Sequence, residues 1–269
     1  MTLIRIENPD DPRVAAYRNI REQDLVGRQN LFVAEGKVVL TVLLSAPAYE
    51  LQSVFVLENR LAGLQDVLAR SPASLPVYVA SAGTMNAIAG FHIHRGILAV
   101  GRRREQATPG SLLANMAERA LVLVLVGISN HDNIGSIFRN AAAFGADAIF
   151  LDPTCCDPLY RKSIRVSVGG VFRVPFARFE NTSDFVGTLL QSGIDAIALS
   201  PGGESDIRNV ERSSRMALFL GTEGEGLPDN LLKAMKTARI SIVPGFDSLN
   251  VAATSAIALH QLRDGESLS

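Results

Sequence analysis

The segment "GTEGEGLPDN", residues 221–230, places three glycines and two glutamates directly after the apolar run "MALFL". A phosphate-binding loop needs exposed backbone N–H groups and usually a lysine, and carboxylates at such a site would repel phosphate. Glycines without a Cβ let the backbone approach a ligand closely. Glu223 and Glu225 therefore favour a cationic or hydroxyl-rich ligand, while a plain strand-to-helix turn explains the glycines equally well.

The segment "GISNHDNIGSIFRNAAAFG", residues 127–145, places Arg139 inside a predicted alanine-rich helix that ends at Gly145. Burying a guanidinium is costly unless it meets an anion, so Arg139 is either solvent-facing or functional. His131 and Asp132 suggest acid–base chemistry, but no serine or cysteine stands at a recognisable triad spacing. We interpret them as helix-capping residues, with Asn133 as the other candidate cap.

The segment "ISIVPGFDSLNVAATSAIAL", residues 240–259, places Ser248 and Asn250 at the start of an alanine-rich predicted helix. Capping is the ordinary role of serine and asparagine at such a position. A helix built from small residues also lets a neighbouring backbone pack closely. From these residues alone, capping is the favoured interpretation.

The elements that position these segments are short apolar runs without strict alternation, which indicates parallel strands covered on both faces. The predicted strands are "ALVLVLVG" (120–127), "AIFLD" (148–152), "DAIALS" (195–200), "MALFLG" (216–221) and "ISIV" (240–243). Helical segments separate them. Ligands of such sheets bind outside the carboxyl ends of the strands, which directs attention to the loops after Val126, Leu220 and Val243.

The first part of the chain predicts a separate α/β unit. An arginine-bearing helical segment over residues 13–28 precedes the apolar runs "VVLTVLLS", "LQSVFVL", "VYVA" and "GILAVG". The stretch "RRREQATPG", residues 102–110, then combines charge with Pro and Gly, as linkers do. We predict two domains, residues 1–106 and 107–269.

Composition limits the class of protein. The 269 residues are 47% hydrophobic, enough for packed cores, and the formal net charge is −1, so polyanion binding would depend on local basic patches. Cys155 and Cys156 are adjacent, which disfavours a structural disulfide and leaves no spaced zinc ligands. No secretion signal or long apolar run is present. We predict a globular cytoplasmic protein without a membrane segment or a metal.

Taken in order, "NIGSIFRNAAAFGAD", "LFLGTEGEGLP" and "ISIVPGFDSLNVAATSAIAL" resemble the three signature motifs of the SpoU/TrmH family of RNA ribose 2′-O-methyltransferases, within the SPOUT superfamily. The intervening "LDPTCCDPLYRKSIRVSVGGVFRVPF" is similar to the family as well, and the resemblance covers residues 119–263. "FVAEGKVVL" and "HRGILAVG" resemble the substrate-binding domain that precedes the catalytic domain in many members. "NVAATSA" departs mildly from the usual form of the third motif.

The resemblance implies an α/β fold: a C-terminal parallel-sheet domain with a deep trefoil knot, preceded by a smaller α/β RNA-binding domain akin to ribosomal proteins. It also implies S-adenosylmethionine as the methyl donor, no metal, and a homodimer. Arg139, Glu223, Ser248 and Asn250 match the family's catalytic positions. The matching cofactor-binding positions are Gly221, Thr222, Glu223, Gly226, Ile242 and Leu249. Because a guanidinium keeps its proton in proteins, we assign phosphate anchoring and hydroxyl orientation to Arg139.

RNA is the expected partner. Contacts to phosphate are predicted from Arg102, Arg103, Arg161, Lys162 and Arg165, with further basic residues at Arg13, Arg18, Arg21, Arg28, Arg104, Arg173 and Arg178. The N-terminal domain favours ribosomal RNA over transfer RNA as the substrate. The alternatives are a tRNA 2′-O-methyltransferase, an enzyme that methylates a base, and a non-catalytic RNA-binding protein that retains the fold.

Overall fold

The computed structural model describes residues 2–18, 20, 30–222 and 224–263. Its strands are β1 Thr2–Arg5, β2 Leu31–Glu35, β3 Tyr49–Leu57, β4 Pro76–Ala80, β5 Ile97–Arg103, β6 Ala120–Leu125, β7 Ala148–Leu151, β8 Phe176–Arg178, β9 Asp195–Leu199, β10 Ser205–Asp206, β11 Arg215–Leu220 and β12 Lys236–Arg239. Its α-helices are α1 Lys37–Leu44, α2 Glu58–Leu61, α3 Gln65–Leu68, α4 Ala82–Ala89, α5 Pro109–Ala114, α6 His131–Phe144, α7 Arg161–Val166, α8 Thr182–Gln191, α9 Asp229–Ala234 and α10 Val251–Leu262. Short 3-10 helices span Pro12–Tyr17, Ala62–Leu64, Gly170–Phe172 and Ile207–Asn209.

The described residues form two compact units. The first contains the residues up to Glu105 together with Pro158–Arg173, and the second contains Gln106–Asp157 together with the residues from Val174 onwards. The basic helix α7 therefore packs with the first unit, although it follows β7 in the chain. The domain limits predicted from the sequence stay a prediction.

The first unit has a mixed sheet in the order β1-β4-β3-β5-β2, in which β5 runs antiparallel to β3 and β2. Its core contains Phe55, Val33, Met85 and Leu98, all buried. Residues of the later segment extend this unit, because Phe172 packs its ring 4.9 Å from that of Tyr49. Apolar side chains from residues up to 105 and from residues 158–173 thus pack together in the first unit.

The second unit has a seven-stranded parallel sheet in the order β10-β12-β9-β11-β6-β7-β8. All six residues of β6 are buried, as the unbroken apolar run predicts for a central parallel strand. Gly145 ends α6 in the left-handed conformation at φ 73°, as predicted for a helix C-cap. The predicted α/β class with a parallel sheet is confirmed, whereas the knot stays a prediction.

One strand prediction is wrong. The apolar run "ISIV", residues 240–243, is not a strand, and the strand β12, which lies between the edge strand β10 and β9, is four residues earlier at "KTAR". β12 pairs with β9 and β10 through backbone hydrogen bonds and buries only Ala238 fully. Because its side chains are mostly polar, the sequence pattern does not predict this strand, which is defined by its backbone hydrogen bonds. None of the helices in the described ranges is long and apolar enough to cross a membrane.

Candidate active site

A cavity of about 310 Å³ lies in the second unit at the carboxyl ends of three adjacent strands, β12, β9 and β11. The segments that line it follow these strands: residues 199–201 at the end of β9, residues 220–222 and 224–232 after β11, and residues 240–254 after β12. Binding at the carboxyl edge of a parallel sheet is the general expectation for this architecture. The cavity contains two of the three loops to which the sequence directed attention, and adds the loop after β9.

The glycine-rich loop after β11 folds back on itself. Thr222 forms an antiparallel bridge with Gly226, which has φ 72°. A Cβ on Gly221 would lie 2.3 Å from the carbonyl carbon of Gly226 and 2.5 Å from the nitrogen of Leu227. Only glycine permits this approach, so Gly221 is required by the closure of the loop.

The loop after β6 supports the glycine-rich loop without lining the cavity. Gly127 has φ 72°, and a Cβ there would lie 2.3 Å from Cγ2 of Thr222. Cys155 holds this loop, because its Sγ accepts a hydrogen bond from the Ile128 N–H at 3.2 Å and donates one to the Leu125 carbonyl at 3.4 Å. Burial raises the pKa of the Cys155 thiol far above its ordinary value, so Cys155 is a neutral structural group.

Most of the predicted cofactor residues come together in this cavity. Gly221, Thr222, Gly226, Ile242 and Leu249 line it, as does the predicted catalytic residue Ser248. Glu223 lies outside the described residues. The carboxylates that the site prediction missed are Glu225, Asp229 and Asp247, and the missed neutral residues include Ser200, Pro201, Phe246 and Thr254. The end of the predicted strand at residue 200 was the signal that could have added Ser200 and Pro201.

The loop between β12 and the cavity is fixed at its start. The Arg239 Nη1 donates to the carbonyls of Gly203 and Glu204 at 2.5 and 2.9 Å, and the Ser241 hydroxyl bonds to the Asp206 carboxylate. Arg208 and Ser241 together hold the pKa of the Asp206 carboxyl far below its usual range. These contacts attach Arg239 and Ser241 to β10 and to the two residues before it, at the point where the chain leaves the sheet.

The other two predicted catalytic residues lie on a pair of packed helices, α6 and α10. Asn250 is the N-cap of α10, and its Oδ1 accepts from the Ala252 N–H at 2.8 Å. Its Nδ2 donates to Oδ1 of the buried Asn133 on α6 at 3.0 Å. Arg139 is exposed on α6, forms no ion pair with any residue in the described ranges, and does not line the cavity of its own chain.

The cap of α6 differs from the prediction. Asn130 is the N-cap, and its Oδ1 accepts from the Asp132 N–H at 2.8 Å. His131 and Asp132 are in the first turn of the helix, and Asn133 is one residue further in. The capping interpretation of these three residues was therefore wrong, because the N-cap lies one residue before His131, two before Asp132 and three before Asn133. Asn133 is inside the helix and bonds across to α10 instead.

Several predicted RNA-contacting cations have partners inside the protein. Arg103 is buried, Arg102 pairs with Glu50 at 2.8 Å, and Arg161 pairs with the buried Glu35 at 2.8 Å. Lys162 and Arg165 are exposed on α7. Among the further basic residues, Arg13 and Arg18 hydrogen-bond to Asp11, and Arg178 donates to the carbonyls of Asp152 and Cys156. Arg104 and Arg173 are exposed. Arg21 and Arg28 lie outside the described residues.

The chemistry of the cavity is that of a mixed, partly acidic site. Apolar Leu220, Ile242 and Leu249 lie with three carboxylates and the backbone of the glycine-rich loop. Such a site suits a ligand with an apolar ring system, hydroxyl groups and positive charge, and does not suit a polyphosphate. Within the part of the chain that the structure describes, no cluster of three or more His, Cys, Asp or Glu side chains could hold a metal ion.

A family model described as the SpoU rRNA Methylase family matches residues 120–260. An uncharacterized tRNA/rRNA methyltransferase of Mycobacterium tuberculosis is 37% identical over 94% of this chain and 89% of its own length. The 23S rRNA (guanosine(2553)-2′-O)-methyltransferase of Bacillus subtilis is 24% identical over 96% of this chain and 99% of its own length.

Two solved structures have the same fold. An RNA 2′-O ribose methyltransferase aligns with a TM-score of 0.79 and 26% identity, covering 96% of this chain and 98% of its own. An rRNA methyltransferase from Sinorhizobium meliloti, described as AdoMet bound, aligns with a TM-score of 0.81 and 24% identity, covering 97% of both chains.

Proposed function

Because the chain belongs to the SpoU rRNA Methylase family, we propose that it transfers the methyl group of S-adenosylmethionine to a ribose 2′-hydroxyl in RNA. The observation that carries this proposal is the cavity at the ends of β12, β9 and β11, to which the second and third motif segments both contribute. The relative from Bacillus subtilis and the solved RNA 2′-O ribose methyltransferase are named for the same reaction class.

The residues that line the cavity fit S-adenosylmethionine. A volume of about 310 Å³ is at the lower end of that of ordinary ligand pockets. Ile242 and Leu249 offer apolar contact, and the backbone around Gly221 and Gly226 is accessible to polar groups. Glu225 and Asp247 place negative charge near a cationic ligand. When bound, S-adenosylmethionine supplies an electrophilic methyl group on a positively charged sulfur.

The remaining tasks belong to the residues of the chain: the target hydroxyl has to be positioned in line, and its proton has to be removed. Ser248 lies at the cavity, and we assign to it the orientation of the target nucleotide. Asn250 follows two residues later and is held by Asn133, so its amide has a defined direction. Arg139 anchors a phosphate and orients the hydroxyl in this proposal. Glu223 keeps the role that the resemblance implies, in holding the loop or a partner group.

Arg139 serves the cavity of a second copy in this proposal. The Arg139 side chain is exposed and is not among the residues that line the cavity of its own chain. Large apolar side chains in the same unit, Val243, Phe246 and Ile257, are exposed, with 63% exposure for Phe246. A contiguous exposed apolar patch marks an interaction surface, and we propose that these side chains form one. A homodimer would cover them and bring a second Arg139 to the site.

Ribosomal RNA is the proposed substrate, and transfer RNA is the alternative. The description of the family model and the relative from Bacillus subtilis both name rRNA. The mycobacterial relative is named for either RNA. A cytoplasmic location remains our prediction.

The test combines binding, turnover and mapping. Calorimetry should detect S-adenosylmethionine binding to wild type, and Arg139→Ala should retain that binding while methyl transfer to RNA is lost. Mapping of 2′-O-methylated nucleotides in total RNA from cells with and without the gene should show loss at one position, which names the substrate. Binding without methyl transfer to any RNA would favour the non-catalytic alternative, and a methylated base would favour the base-modifying one.

A further inference from the structure

The loop between α4 and β5, "FHIHR", residues 91–95, exposes four large side chains on the first unit. Phe91, His92, His94 and Arg95 are exposed, whereas Ile93 between them is buried in the core. The rings of His92 and His94 lie 4.7 Å apart between centroids. An exposed phenyl ring next to two exposed imidazoles is an unusual surface, since aromatic side chains are mostly drawn into cores.

Hydrogen bonds hold this loop in place. Gly90 ends α4 in the left-handed conformation, and its N–H bonds to the Asn86 carbonyl. The Asn86 Oδ1 accepts from the Ile93 N–H at 2.9 Å. With Ile93 buried below it, the loop presents its outward side chains from a fixed backbone. A preorganised surface loses less entropy on binding than a mobile one.

The surroundings of the loop are basic. Residues 81–104 and 158–173 contain no Asp or Glu, although the whole chain has a net charge of −1. The two stretches meet where the guanidinium of Arg161 lies 4.6 Å from the centre of the Phe91 ring. Phe91 remains 36% exposed despite this contact. Exposed Lys162 and Arg165 follow on α7, and neither Arg95 nor Arg165 forms an ion pair with any residue the structure describes.

Two other interpretations of the loop fail on these observations. A structural core role does not fit Phe91, because the buried residue of the loop is Ile93. A metal site does not fit the histidine pair, because no third ligand accompanies it within the described ranges. Arg161 itself pairs with Glu35, but Arg95 and Arg165 are exposed on the same unit. Flat rings beside exposed cations are the combination that binds unpaired nucleotides, through base stacking and phosphate contacts.

We propose that the loop Phe91–Arg95, together with Lys162 and Arg165, binds unpaired nucleotides of the RNA substrate, with Phe91 and the two histidines stacking on bases. This inference rests on the proposed function and specifies how the first unit selects its substrate. It assigns to this unit a preference for single-stranded loops over continuous duplex. Every base has a flat face, so the stacking contributes affinity without choosing a sequence.

The test uses the full chain and a short fluorescent RNA of unpaired mixed sequence, with the same strand annealed to its complement as the comparison. By fluorescence anisotropy, Phe91→Leu should weaken single-strand binding about tenfold, and Phe91→Tyr should change it by less than about twofold. Phe91→Leu should leave the salt dependence unchanged, whereas Arg165→Gln should lower the slope of log K against log salt by about 0.7. Leu190→Ala, which removes an exposed apolar side chain from the second unit, is the matched control and should bind as wild type.

The inference is overturned if wild type does not bind the unpaired RNA, if Phe91→Leu binds it as tightly as wild type, or if Phe91→Leu weakens duplex binding equally. Thermal unfolding of each variant checks that the fold is retained. Methyl transfer by wild type to total RNA is measured in parallel. If wild type transfers methyl groups but Phe91→Leu binds RNA as tightly as wild type, only this inference is refuted. If Phe91→Leu weakens RNA binding but wild type transfers no methyl group, the proposed reaction is refuted and the RNA-binding role of the loop is retained.

Discussion

The Asn250 Nδ2 donates to the Asn133 Oδ1 at 3.0 Å, while the Asn250 Oδ1 caps α10 through the Ala252 N–H at 2.8 Å. One amide group thus fixes the start of α10 and joins it to α6, the helix that carries Arg139. The amide has both a donor and an acceptor, and this position uses both. A residue that the family resemblance predicts to be catalytic is thus also a structural one.

We expect Asn250→Ala to lower the free energy of unfolding by about 2 kcal/mol, because it removes a helix cap and a hydrogen bond to a buried partner. Asn250→Asp keeps the capping oxygen and should cost about 1 kcal/mol. Urea unfolding measures both values. A double-mutant cycle with Asn133→Ala should give a coupling of about 1 kcal/mol, and a coupling of zero would contradict the bond.

A second link between the same helices involves Asn140, whose Nδ2 donates to the Ala252 carbonyl at 2.8 Å and to the Ser255 hydroxyl at 2.9 Å. Asn140→Ala should lower the free energy of unfolding by about 1 to 2 kcal/mol, since both bonds are lost at a partly buried site. Asn115→Ala is the control: Asn115 is the C-cap of α5, and its side chain donates to the carbonyl of the exposed Ser111 and to no other residue that the structure describes, so its loss should cost less. Equal losses in the two variants would argue against a special role for Asn140.

Gly221→Ala should abolish S-adenosylmethionine binding, because the new Cβ would lie 2.3 Å from the Gly226 backbone and the loop could not close. Calorimetry measures the effect, which we expect to exceed about tenfold in Kd. Gly187→Ala is the matched control. Gly187 lies within α8 with no atom within 4 Å of the added Cβ, so alanine should raise the free energy of unfolding by about 0.5–1 kcal/mol and leave binding unchanged. Normal binding by Gly221→Ala would refute the loop geometry.

The proposed role of Arg139 in a second copy can be tested by co-expressing Arg139→Ala with Gly221→Ala. Each variant alone should be inactive. In a mixed homodimer, one cavity is intact and faces an intact Arg139, so random pairing should restore about a quarter of wild-type methyl transfer. If Arg139 acts on the cavity of its own chain, mixing restores nothing. Size-exclusion chromatography with light scattering supplies the oligomeric state of each sample.

Burial raises the pKa of the Cys156 thiol from 9.0 to about 11. The folded state therefore binds this proton more tightly than the unfolded chain does. The corresponding stability is present below pH 9 and is lost as the pH rises from about 9 towards about 11. Alkylation of Cys156 by iodoacetamide in the native protein should accelerate with a midpoint near that upper value, and urea should shift the midpoint towards 9. A native midpoint at the ordinary value would show that the thiol is not shielded. Cys156→Ser is the control, because this variant lacks the thiol whose alkylation is followed.

The strands β6, β7, β9 and β11 were predictable, because each is an apolar run that both faces of a parallel sheet require. β12 was not, because the backbone hydrogen bonds that pair it with β10 and β9 leave no mark in the sequence and "KTAR" carries no apolar signal. The neighbouring "ISIV" has that signal for another reason: Ile240 and Ile242 line the cavity. An apolar run in a sequence can indicate a strand in the core, but it can also indicate residues that line a ligand site.

Charge patterns were less informative than apolar ones. The cluster around Arg161 was predicted as one RNA-contacting surface, but Arg161 pairs with Glu35, which lies 126 residues earlier in the chain. Arg103 is buried on β5. A formal charge in a sequence does not reveal whether its partner is water, RNA or a distant carboxylate, because ion pairs form between residues of any separation.

The sequence by itself determined the α/β class, the parallel sheet, most of the cavity-lining residues and the family, since these depend on local apolar patterns and on motifs whose order is linear. Only the tertiary structure decided that Asn133 bonds to Asn250, that Arg139 is outside the cavity of its own chain, that residues 158–173 pack with the first unit, and that Phe91 is exposed beneath Arg161. Each of these depends on the relative position of residues far apart in the chain, which is set by how whole elements pack.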